Sequence, residues 1–211
     1  GGQFIEKAIA RAEQRFADPA ATAELIKEPI ISGPKGWGAY GAFDALERSA
    51  ALDLLGFQKQ LVFPTFSMGQ FAFSPDLDVV YGGTDMLNRR MADFCGADDR
   101  LLAVGFVSLQ DPLLALRAVE AGLQAGIAAF WVSSDPVSDA RKNRSPSHVD
   151  HDPIWAAIEA ANVPMVLHIG GGRGLDESYH NAGHAKTSDW LGGGENLRGK
   201  DFHAISHSPQ N

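Results

Sequence analysis

Residues 111–132 read DPLLALRAVEAGLQAGIAAFWV, and they contain one complete helix–strand unit. Asp111 can cap a helix, and Pro112 suits the first helical position because the φ angle of proline is already fixed. Apolar residues then recur at helical spacing as far as Gly126, a residue typical of helix C-termini. The apolar run from Ile127 to Val132 predicts a strand that is covered on both faces.

The same helix–strand order recurs on both sides of this unit. Strands are predicted to begin near residues 61, 101, 127 and 164. A helix precedes each strand, and the predicted helices cover 44–55, 84–95, 112–124 and 153–161. In these helices Thr84 is a predicted N-cap, and Leu46 and Leu54 share one apolar stripe. The alternation predicts an α/β fold with a parallel sheet.

Two arrangements of a parallel sheet satisfy this pattern: an open doubly wound sheet and a closed eight-stranded barrel. No Gly-x-Gly-x-x-Gly follows the first strand. The dinucleotide-binding form of the open sheet therefore loses support, because its phosphate-binding turn needs those glycines.

The composition predicts one globular domain, residues 1–211, with a formal net charge of −8. That charge disfavours nucleic acid and anionic membranes as partners. No apolar run approaches the roughly 20 residues of a membrane span, and no basic segment precedes a hydrophobic one at the start. Cys95 is the only cysteine, which excludes an internal disulfide. We therefore expect a cytoplasmic protein.

His168 is the best candidate for a metal ligand. It follows the predicted strand 164–167, and the C-terminal ends of parallel strands are where ligands and catalytic groups gather. A neutral imidazole there suits zinc or another divalent metal, and a core histidine bound to a backbone carbonyl is the alternative. His148, His151 and the pairs His180/His184 and His203/His207 are weaker candidates, for which an anchoring or surface role is favoured.

Thr65, Trp131 and Arg173 are the predicted substrate contacts. Thr65 follows the first strand, Trp131 lies near the end of the third, and Arg173 lies five residues after His168. A hydroxyl can form a hydrogen bond, an indole can stack, and a guanidinium can clamp a carboxylate.

For other polar residues, a structural or surface role is the alternative to a functional one. Ser108 and Gln110 follow the second strand, where polar side chains often cap neighbouring helices. Arg89 and Arg90 lie in a helix, where a solvated surface charge is the favoured interpretation. The glycine runs 170–174 and 192–194 can cradle a phosphate with backbone amides, which leaves a phosphate-binding β/α-barrel enzyme as an alternative function.

Three stretches resemble the amidohydrolase superfamily: residues 48–65, residues 150–170 and residues 191–196. They are most similar to the branch related to aminocarboxymuconate-semialdehyde decarboxylase. The resemblance implies a (β/α)8 TIM-type barrel with a divalent metal, zinc or manganese, at its C-terminal mouth. It also implies that a metal-activated water hydrolyses, or hydrates before decarboxylation, a small carboxylated or cyclic organic substrate. His168 matches the histidine that follows strand 5 in that family.

The sequence departs from that family at the strand 1 ligands, since it contains no His-x-His. On this comparison the four predicted strands are strands 2–5, and we expect the chain to be an internal piece of a longer protein. A catalytically inactive scaffold that lacks most metal ligands is therefore the alternative. Unpaired sheet edges favour association, so we expect a homo-oligomer.

Overall fold

The computed structural model describes residues 2–25, 27, 40–64, 67–132, 144 and 146–167. Thr65, His168 and Arg173 lie outside these ranges. The chain divides into two compact units, Gly1–Val62 with Asp93–Leu102, and Phe63–Ala92 with Ala103–Asn211. The helices are α1 (Gly2–Ala17), α2 (Pro19–Leu25), α3 (Ala45–Leu55), α4 (Leu77–Cys95), α5 (Pro112–Ala125) and α6 (Asp152–Ala160), with short 3₁₀ turns at Ser67–Gln70 and Val149–His151. The strands are β1 (Gln60–Val62), β2 (Leu101–Val107), β3 (Ala129–Val132) and β4 (Met165–Leu167).

The strands form one sheet in the order β1-β2-β3-β4. β2 pairs in parallel with β3, with Val104 opposite Ala129, and β3 pairs in parallel with β4, with Phe130 opposite Met165. Every residue of β2 except Leu102 is buried, as expected for a strand that is covered on both faces. The predicted α/β class with a parallel sheet is confirmed.

The helix-end signals of residues 111–132 act as predicted. The Asp111 carboxylate accepts a hydrogen bond from the Leu114 N–H, and Pro112 begins α5. Gly126 ends the helix in the left-handed conformation, with φ of 98°. Because these signals act within one turn of the chain, they do not depend on tertiary packing.

The first unit contains α3, whose buried face differs from the predicted stripe. Leu46 is 74% exposed, whereas Glu47 and Leu52 are buried. The Arg15 side chain forms two hydrogen bonds with the Glu47 carboxylate, from Nε at 2.8 Å and from Nη2 at 3.0 Å. Because of this ion pair, the charged Glu47 side chain lies on the buried face of α3. The prediction that the apolar stripe with Leu46 forms the buried face is therefore wrong.

In the second unit, α4 begins seven residues before the predicted start. Asp76 precedes the helix, and its carboxylate accepts the Asp78 N–H at 2.9 Å. Thr84 lies buried within α4, where its hydroxyl donates to the Val80 carbonyl at 2.8 Å. The N-cap prediction for Thr84 is therefore wrong, because the Gly82-Gly83 pair continues the helix instead of breaking it.

Gly83 has a packing role that Gly82 lacks. A Cβ at Gly83 would lie 2.4 Å from the Phe71 ring, whereas a Cβ at Gly82 would meet nothing within 4 Å. We expect Gly82→Ala to stabilise the protein by about 0.5–1 kcal/mol, since alanine is the better helix former. Gly83→Ala should destabilise it by about 1–2 kcal/mol through overcrowding. Urea denaturation checks both, and a stabilising Gly83→Ala variant would contradict this packing.

Cys95 at the end of α4 is buried. Burial raises the pKa of its thiol to about 11, and the nearby Arg48 guanidinium partly offsets that rise. In the unfolded chain the thiol has its ordinary pKa of about 9, so it loses its proton at a lower pH than in the folded chain. The free energy of unfolding should therefore fall as the pH rises from about 9 to about 11.

We expect the Cys95 thiol to react with an aromatic disulfide reagent only after the protein unfolds. Compared with wild type, Cys95→Ala should lose less stability when the pH rises from 8 to about 10.5. Fast labelling of the native protein at neutral pH would contradict a buried thiol.

Candidate functional site

The C-terminal ends of β2, β3 and β4 lie along one edge of the sheet in the second unit. Val107, Val132 and Leu167 are the last residues of these parallel strands. His168 directly follows Leu167 in the chain, although its own position lies outside the described residues. This edge is the candidate active site, because ligands bind at the C-terminal ends of strands in such folds.

Trp131 lies one residue before the end of β3 and is half-buried. It is opposite Phe106 of β2 and Val166 of β4 in the sheet register. Its ring packs edge-to-face against Phe106, with 6.3 Å between centroids, and against Phe63, with 6.4 Å. Phe71 packs in the same way on Phe106, at 6.0 Å. These four aromatic residues form an apolar wall beside the strand ends.

Asn88 on α4 forms hydrogen bonds with the β2 backbone at Phe106, one of these four aromatic residues. Its buried carboxamide donates to the Phe106 carbonyl at 3.0 Å and accepts the Phe106 N–H at 2.7 Å. The carboxamide thus satisfies both polar groups of one strand residue, as a neighbouring strand would. The signal in the sequence that could have identified Asn88 is its helical spacing. It follows Leu87 and lies four residues after Thr84, and all three residues are on the buried face of α4.

Tyr81 and the residues after β2 also make structural contacts. The Tyr81 hydroxyl accepts the Asp111 N–H at 3.0 Å and lies within donating distance of the Ser108 and Asp111 carbonyls. Burial raises the Tyr81 pKa to about 12. Gln110 is buried and donates to the Ala72 carbonyl at 3.1 Å. These contacts therefore support a structural role for Ser108 and Gln110, in capping and anchoring neighbouring backbone.

His148 and His151 anchor the turn that leads into α6. The Nδ1 atom of His148 accepts the Asp150 N–H at 3.1 Å. The buried His151 ring packs against His148 and Trp155, with centroid separations of 6.2 and 6.3 Å. Trp155 in turn donates to the Pro146 carbonyl at 3.0 Å. These contacts agree with the anchoring role favoured from the sequence.

No group of three or more histidine, cysteine, aspartate or glutamate side chains that could hold a metal occurs among the described residues. His168, the predicted ligand, is outside those residues, as are Thr65, Arg173 and the pairs His180/His184 and His203/His207.

Arg89 is an exposed surface charge that pairs with Asp85 one helical turn away, at 3.0 Å. This agrees with the interpretation favoured from the sequence. In the part of the chain that the structure describes, no helix is both long enough and apolar enough to span a membrane.

The amidohydrolase family model matches residues 12–206. No curated protein matches the chain. A crystal structure of an amidohydrolase from Mycobacterium avium subsp. paratuberculosis K-10 is 26% identical, with a TM-score of 0.53 over 65% of this chain and 36% of that one. The chain thus spans about a third of the length of that protein, and the likeness supports part of a (β/α)8 barrel. Because the family model matches most of its length, the chain belongs to the amidohydrolase family.

Proposed function

We propose that this chain contributes part of the active site of a metal-dependent hydrolase or decarboxylase. The observation that carries the proposal is the alignment of parallel strand ends in a member of the amidohydrolase family, with His168 next in sequence after β4. The substrate class that we propose is a small carboxylated or cyclic organic compound. The proposal places the enzyme in the branch that resembles aminocarboxymuconate-semialdehyde decarboxylase.

The metal part of the proposal rests on His168. The described residues do not form a metal-binding group, so we derive no reaction step through a metal. We propose His168 as one ligand of zinc, with manganese as the alternative. When bound, such an ion polarises the substrate and lowers the pKa of a coordinated water.

The chain's own side chains have proposed roles in binding and orientation. The half-buried Trp131, held by Phe63 and Phe106, offers apolar surface for a ring or a hydrocarbon segment. Arg173 is proposed to bind a substrate carboxylate, which a guanidinium grips through two parallel hydrogen bonds. Thr65 is proposed to contribute one hydrogen bond.

The test is activity against small carboxylic acids and cyclic esters or amides, with carbon dioxide release and ring opening measured separately. We expect one of these activities to disappear on chelation and to return when zinc or manganese is added. Complete inactivity of the metal-loaded protein would favour the inactive scaffold. Activity that survives chelation would contradict metal dependence.

A further inference from the structure

Trp131 lies on the face of β3 that is turned away from α5. A Cβ added to Gly122 of α5 would lie 2.9 Å from the Phe130 ring, so Phe130 points toward that helix. Successive residues of a strand point to opposite faces of a sheet, so the Trp131 side chain points away from α5. Its register partner on β2 is Phe106, and the two rings pack edge-to-face. The half-buried indole therefore has Phe106 as its support on the face that α5 does not cover.

The backbone of Phe106 is held by a side chain from α4. Asn88 is 2% exposed, and its carboxamide bonds both the N–H and the carbonyl of Phe106. A Cβ added to Gly105 would lie 3.0 Å from the Asn88 Oδ1 atom, so the glycine leaves room for the carboxamide beside the strand. Asn88 thus fixes the one strand residue whose ring supports Trp131 from β2.

The Phe106 ring is held as well as its backbone. It packs edge-to-face against Phe71, with 6.0 Å between the ring centroids. The Phe71 ring lies so close to α4 that a Cβ added to Gly83 would meet it at 2.4 Å. α4 therefore fixes Phe106 in two ways, through the Asn88 hydrogen bonds and through the packed Phe71 ring. A support that is fixed in this way holds its neighbour at a defined place and angle.

We propose that Asn88 is a positioning residue that makes the proposed site select a rigid ring over a flexible chain. It acts through Phe106 on Trp131 and does not itself contact the ligand. The inference rests on the proposed binding role of Trp131. A planar ring gains most from an aromatic partner at a fixed distance and angle, whereas a flexible chain adapts to a displaced partner.

The test compares benzoate with heptanoate, two carboxylates with the same number of carbon atoms. Ligand-observed NMR titration measures both affinities on the full chain at neutral pH without added metal. Wild type should bind benzoate more tightly. Asn88→Asp should weaken benzoate binding about fivefold, the size of one aromatic contact, and heptanoate binding by less than about twofold. The reason is that an ionised carboxylate still accepts the Phe106 N–H but cannot donate to the Phe106 carbonyl.

Lowering the pH should restore the preference for benzoate in Asn88→Asp. Burial raises the pKa of the introduced carboxyl, and its protonated form can donate to the Phe106 carbonyl again. The titration stops at about pH 5, where benzoate is still mostly ionised. The wild-type preference should not change over this range, because a carboxamide does not titrate.

Two further variants separate positioning from a general loss of stability. Glu47→Ala removes a buried ion pair with Arg15 in the first unit, so it should lower stability and leave the benzoate preference unchanged. Trp131→Leu should abolish the preference, and adding Asn88→Asp to that variant should have no further effect on binding.

The proposal is overturned if wild type lacks the preference, if Asn88→Asp keeps it at neutral pH, or if Glu47→Ala loses it equally. An Asn88→Asp effect that persists in the Trp131→Leu background also overturns it. The measurement involves neither metal nor turnover, so these failures are distinct from a failure of the proposed reaction. A chain that prefers benzoate but has no metal-dependent activity would support the role of Asn88 and contradict the proposed function alone.

Discussion

Replacing Asn88 with alanine is expected to lower the free energy of unfolding by about 3 kcal/mol. The carboxamide of Asn88 is the hydrogen-bond partner of both the Phe106 N–H and the Phe106 carbonyl, at 2.7 and 3.0 Å. Alanine leaves both groups without this partner in a buried strand. Each unsatisfied buried group costs about 1–3 kcal/mol, because it has given up its hydrogen bonds to water.

The Asn88→Ala variant should also change the surroundings of Trp131. The Phe106 ring packs on Trp131, so a shift of the β2 backbone should alter the tryptophan fluorescence and the near-ultraviolet circular dichroism. The control is Arg89→Ala on the same helix, which removes only an exposed ion pair and should change stability by less than about 0.5 kcal/mol. Equal effects of the two variants in urea denaturation would contradict the structural role of Asn88.

Replacing Glu47 with alanine is expected to cost about 3 kcal/mol of stability. The Glu47 carboxylate accepts two hydrogen bonds from Arg15 and one from the Gly41 N–H at 3.0 Å. Only 8% of each side chain of the ion pair is exposed. Removing the carboxylate leaves the Arg15 charge buried without this partner, and that cost exceeds the loss of an exposed pair.

Glu47→Gln provides an intermediate case. The glutamine keeps an acceptor oxygen but loses the negative charge, so we expect it to cost less than alanine. The control is Lys27→Ala, which breaks an exposed pair with Glu24 in the same unit and should cost less than about 0.5 kcal/mol. If thermal or urea denaturation gives the same small effect for Glu47→Ala and Lys27→Ala, the buried ion pair does not stabilise the fold.

Local signals allowed much of the fold to be predicted from the sequence. Asp111, Pro112 and Gly126 set the ends of α5 through contacts within a few residues, so their pattern was sufficient. The start of α4 could not be predicted in this way. Gly82 and Gly83 resemble a break, and only the approach of the distant Phe71 ring shows why a glycine is useful inside this helix.

The sequence was sufficient to predict the edge of the sheet where the candidate site lies. Continuous apolar runs identify strands that are covered on both faces, and the ends of parallel strands meet along one edge. The roles of single polar residues were harder to predict. Asn88 binds a backbone group 18 residues away, and Glu47 binds a side chain 32 residues away, so neither contact has a local pattern. Thr65, Arg173 and His168 stay predictions.

The metal content of the purified protein tests the central claim most directly. After reconstitution, elemental analysis should find about one zinc or manganese ion per chain, and His168→Ala should lose it. His148→Asn is the matched control, because asparagine can still accept the hydrogen bond that His148 accepts from Asp150, and it should keep the metal. A wild-type protein without stoichiometric metal, or a His168→Ala variant that retains it, would contradict His168 as a metal ligand.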